Sequence, residues 1–61
     1  MITKIYYLKD NNKTNEIINE IINNYICFVK KETIEMNYFE LTIICRIEDI
    51  SNIENDLKDI I

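Results

Sequence analysis

The chemistry open to this chain of 61 residues begins with two cysteines, Cys27 and Cys45, and eleven Asp and Glu side chains. Histidine is absent, which removes the commonest general base together with the commonest metal ligand. The single serine, Ser51, stands three residues before Glu54, the spacing of a capping box, so its hydroxyl has a structural use. No Ser-His-Asp or Cys-His arrangement can be assembled. Phosphate-cradling loops need glycine for close backbone approach, and the chain has none. Glu48, Asp49, Glu54, Asp56 and Asp59 gather in the final quarter, but their spacing suits helix solvation, and no EF-hand loop is present. No catalytic residue, cofactor or metal site is expected, and the protein reads as a non-enzyme.

The cysteines depend on register. No CxxC motif signals zinc. A hairpin turning symmetrically about Met36 puts Cys27 opposite Cys45 on the core face. A slip by one residue puts Phe28 opposite Cys45 and Cys27 opposite Arg46. The first register permits a disulfide or a shared thiophilic metal. In a reducing cytosol, though, a buried cysteine acts as a small hydrophobe, and that is the reading adopted.

These groups must be held by a single domain, residues 1–61. A hydrophobic share of 48% excludes disorder. Fifteen isoleucines make the core bulky and stiff at χ1. Gly, Pro, Ala, Trp and His are missing; His and Trp aside, the pattern is a bias of AT-rich coding. Without glycine, positive φ must fall to Asn or Asp, with Asn11, Asn12, Asn24 and Asn37 as candidates. The net charge is −4, and the only basic step, Lys30-Lys31, runs into Glu32, so direct nucleic-acid binding is not expected. No apolar run approaches the ~20 residues a membrane span needs, and no signal peptide is visible. The expected location is the cytoplasm, of the producing cell or of an infected host.

Ile2 to Leu8 is rich in β-formers and ends in the polar cluster Lys9-Asp10-Asn11-Asn12, which predicts strand one. Ile17, Ile18, Ile21, Ile22 and Tyr25 then fall at helical spacing, with Asn12 or Thr14 as cap and Glu16 in the first turn. Strand two is read over Ile26–Ile34, and a turn at Glu35-Met36-Asn37. Tyr38 to Glu48 alternates. Phe39, Leu41, Ile43, Cys45 and Ile47 point one way, and Tyr38, Glu40, Thr42, Ile44, Arg46 and Glu48 the other. That segment should be central. A last helix, capped by Ser51 and Glu54, buries Ile53, Leu57, Ile60 and Ile61.

The order β-α-β-β-α matches a ferredoxin-like α+β topology lacking its fourth strand. It implies a three-stranded antiparallel sheet with both helices on one face. Strand one is then a bare edge, and pairing of two copies through it would give a homodimer with a six-stranded sheet. Guarding of that edge by Lys4 and Lys9 would instead leave a monomer.

The opposite sheet face should expose one of Tyr6 and Tyr7 with Tyr38, Glu40, Ile44 and Arg46, a set resembling a protein-contact surface. The functional expectation is a small acidic protein that binds and modulates a larger partner protein. Phage or mobile-element inhibitors of nucleic-acid-handling host enzymes, such as CRISPR effectors, share this physical style. A dimeric small-molecule-binding regulatory domain of the ACT type is the alternative. Such sites use a Gly-containing loop after strand one, and Lys9-Asp10-Asn11-Asn12 offers none.

Overall fold

A computed structural model describes residues Met1–Ile61. The elements are β1 (Ile2–Lys9), α1 (Asn12–Asn24), β2 (Cys27–Glu35), β3 (Tyr38–Cys45), a 3-10 turn (Ile47–Asp49) and α2 (Ile50–Leu57). The sheet order is β1-β3-β2, with both pairings antiparallel. This is an α+β fold on an open three-stranded sheet, and β3 lies at its centre as its alternation requires.

Every second residue of β3 is buried: Phe39, Leu41, Ile43 and Cys45. They form one core with Leu8, with Ile18 and Ile21 of α1, and with Ile53 and Leu57 of α2. Both helices therefore cover the same face. Ile17, Tyr25, Ile50 and Ile60 pack around its margin. Ile22, expected in the α1 stripe, and Ile61 are exposed instead. Buried Thr14 takes the stripe's N-terminal position.

The hairpin register pairs Cys27 with Cys45, resolving the two alternatives in favour of the symmetric one. Near the tip, a bulge between Thr33 and Glu35 leaves Ile34 without a partner. Asn37 carries the only positive φ, 66°; Asn11 is extended instead.

Several boundaries differ from expectation. Asn11, rather than Asn12 or Thr14, caps α1, its Oδ1 accepting from the Thr14 N–H at 2.8 Å. No acidic residue lies in that first turn, so Glu16 falls beyond the strongest dipole field. The third strand stops at Cys45, three residues short of Glu48. Its neighbours run out there, because Cys45 already pairs with Ile2 and Cys27 at the strands' ends. Arg46 then folds back, its Nε 3.1 Å from Asp49 Oδ2 and 3.6 Å from Glu48 Oε1. The Ser51–Glu54 capping box does not form. The chain enters α2 from the 3-10 turn with Asp49 already helical, so Ser51 is inside the helix. Glu54 is used elsewhere.

Candidate functional site

Strand parity sorts the side chains of the sheet. In β1, Ile2, Lys4, Tyr6 and Leu8 share the helix side with Cys45, Ile43, Leu41 and Phe39, while Thr3, Ile5, Tyr7 and Lys9 share the other. In β2, Phe28, Lys30 and Glu32 oppose Ile44, Thr42 and Glu40 on that same open side. No element covers this face, because both helices belong to the core on the far side.

Its rows run across the strands. Thr3, Ile44 and Phe28 form one; Ile5, Thr42 and Lys30 the next; Tyr7, Glu40 and Glu32 the third; Lys9, Tyr38 and Glu35 the last. Phe28 is 62% exposed, Ile5 52% and Tyr7 67%. Phe28, Ile44 and Ile5 lie as direct or diagonal neighbours, an apolar group open to water on a surface without a pocket. Glu32 sits directly opposite Glu40, and neither forms an ion pair within the chain. Like charges in that position destabilise a sheet.

Of the six expected contact residues, the fold brings four together here: Tyr7, Tyr38, Glu40 and Ile44. Tyr6 points to the helices, its hydroxyl donating to Glu54 Oε2 at 2.9 Å. Burial first, then this bond to a carboxylate, hold its phenol well above the ordinary value of 10.0. Arg46 lies past the strand end, committed to Glu48 and Asp49. Phe28 and Ile5 were not among the expected residues. The signal for Phe28 was the symmetric register, which sends it to the open face once Cys27 meets Cys45.

The helix side is occupied with structure. Lys31 lies over the Phe39 ring at 4.5 Å from its centroid, 3.0 Å from Asn15 Oδ1 and 3.6 Å from Asp10 Oδ1, tying β2 to the start of α1. The Tyr25 hydroxyl donates to Asp56 Oδ2 at 3.0 Å, tying α1 to α2. Cys27 and Cys45 are free thiols. Burial pushes both up, with the neighbouring thiol and then Asp49 adding for Cys27, and Asp49 for Cys45. Both effects favour the neutral packed thiol over a reactive thiolate. No group of three or more potential ligands converges on a metal position, and no helix is long and apolar enough to cross a membrane.

No protein-family model, curated protein or solved structure matches the chain.

Proposed function

We propose that this chain is a small, acidic, non-enzymatic interaction protein that docks on a larger protein through the open face of its sheet. The observation that carries the reading is the composition of that face. An uncovered apolar group, Phe28, Ile44 and Ile5, adjoins two carboxylates, Glu32 and Glu40, held opposite each other. A flat face with exposed aromatics suits a macromolecular contact better than a small molecule, which needs a concavity. The carboxylate pair defines the partner's charge. A cationic side chain placed between Glu32 and Glu40 would relieve their repulsion, so binding gains what folding lost. Basic surfaces of this kind belong to nucleic-acid-handling enzymes, CRISPR effectors among them. Two carboxylates set where phosphates would lie modulate such an enzyme by blocking it.

The test is quantitative capture from a lysate of the host cell, comparing the wild-type chain with Phe28→Ser/Tyr7→Ser and with Glu32→Gln/Glu40→Gln. The expected result is a basic, nucleic-acid-handling protein held by wild type and weakened at least about tenfold by each open-face double variant. Neutralising Asp56 on α2 and Asp59 just beyond it should leave capture intact. Equal capture by all variants, or loss only after the α2 substitutions, would overturn the assignment to this face.

A further inference from the structure

The two edges of the sheet are built differently. β2 is interrupted by the bulge at Ile34 and carries Lys30, Lys31, Glu32 and Glu35. Bulges and dense charge are the usual means of blunting an edge. β1 pairs with β3 from Ile2 to Lys9 without a break and carries two charges, both lysines.

The direction of its free backbone groups follows from one bond. Asp10 N donates to Asn37 O at 2.6 Å, and these two residues are the next positions of the β1–β3 register. Hydrogen-bonded pairs recur at every second residue of an antiparallel ladder. Leu8, Tyr6, Lys4 and Ile2 thus turn their peptide groups toward β3, and Thr3, Ile5 and Tyr7 turn theirs outward. The residues with unpaired peptides are those whose side chains, Ile5 and Tyr7 among them, stand exposed on the open face.

We infer that the occupant of this edge is a second copy of the chain, its β1 antiparallel to the first and centred on Ile5. In that register Ile5 meets the partner's Ile5, and Thr3 meets the partner's Tyr7. Three hydrogen-bonded pairs form, and both copies keep their helices on the same side of one six-stranded sheet.

Charge favours the same arrangement. Lys4 has no ion pair within its own chain. It comes to lie opposite the partner's Tyr6, on the helix side, where that hydroxyl bonds the partner's Glu54. The stretch from Ile47 to Ile61 that supplies Glu54 holds five carboxylates against Lys58 alone. Each copy thus brings a lysine to an acidic rim, twice over by symmetry, and no like charges stand directly opposite. The dimer also doubles the open face without covering Phe28 or Ile44, so its failure would leave the proposed partner surface untouched.

Sedimentation equilibrium at concentrations up to about 100 µM, the range of a modest association, tests the proposal directly. Wild type should show a monomer–dimer equilibrium, and Lys4→Glu should weaken it at least about tenfold by setting carboxylate against carboxylate. Register is read by oxidising variants that each gain one cysteine, with wild type as background for Cys27 and Cys45. Ile5→Cys should crosslink, its two Cα atoms facing at about 5.5 Å. Thr3→Cys should not, its copies lying about 14 Å apart. A wild-type monomer throughout, unchanged affinity in Lys4→Glu, no crosslink through Ile5→Cys, or an equal one through Thr3→Cys would each overturn the inference.

Discussion

β3 shows two proteins in one strand. On one side Phe39, Leu41, Ile43 and Cys45 are at most 1% exposed and share one core with both helices. On the other, Tyr38, Glu40, Thr42 and Ile44 meet neither helix, and their neighbours Phe28, Ile5 and Tyr7 stand largely in water. The open side mixes the apolar group Phe28, Ile44 and Ile5 with tyrosines, threonines and charged residues, and nothing of the chain covers it. The difference teaches where stability is located. A domain of this size holds only about 3–9 kcal/mol of net stability, and its fully buried side chains lie on the helix side. The open side is therefore free to vary for contact, within the limits set by strand pairing.

The sharpest way to break this comparison is truncation on each side of the same strand. Leu41→Ala should cost about 2–5 kcal/mol, enough to unfold much of the population. Ile44→Ala, three residues away but on the open face, should cost well under half as much. Chemical denaturation of the two variants measures both. Comparable losses would mean that the open face is part of the core.

The next contrast is between Tyr6 and Tyr7, adjacent in sequence and opposite in orientation. Tyr6→Phe removes the bond to Glu54 and should cost about 1 kcal/mol; Tyr7→Phe removes no bond and should be neutral. The pH dependence carries the same signature. The folded state holds Tyr6 above its ordinary value, so it favours the neutral phenol. The resulting stability is complete below about pH 10 and is lost as pH rises further, because the unfolded chain releases its proton first. Cys27 and Cys45, also raised, add a loss of the same sign from about pH 9. Denaturation from pH 8 to 11 should show falling stability, with a shallower fall above pH 10 in Tyr6→Phe.

How far the sequence foretold this division depends on the element. The central strand was legible because its inward parity is apolar throughout, Phe39, Leu41, Ile43 and Cys45, while the outward parity is polar or half-polar at every position but Ile44 up to the strand's end. Asn37 was legible too, since no glycine could take its turn position. The edge strands were not, and the reason is physical. β1 has apolar residues at both parities, with Ile2, Tyr6 and Leu8 against Ile5 and Tyr7; β2 sets Cys27 and Val29 against Phe28. Side-chain period alone cannot choose a face for such strands, and only pairing with β3 decides. The end of β3 failed for a related reason: alternation continues to Glu48, but the partner strands do not. Caps were missed because a cap is a matter of one residue's dihedrals. Asn11 and Asn12 are the same amino acid, and Asp49 enters α2 already helical where Ser51 had the better cap chemistry.

The smallest expected effect is the one most specific to the proposed surface. Glu32 and Glu40 face each other across β2 and β3 with no cation bonded to either. A sheet selected for stability alone would set opposite charges there, and Lys30 and Lys9 stand one row away on either side. Glu40→Gln removes the repulsion while keeping the side chain's shape. It should therefore stabilise the isolated chain, by about 0.2–1 kcal/mol, with the gain shrinking as salt screens the pair. Denaturant midpoints at low and high ionic strength measure it. A gain that fades with salt would place the pair among features that cost the fold and serve a contact. A loss of stability would mean that Glu40 already has a favourable partner at home, and the case for a cation supplied from outside would fall with it.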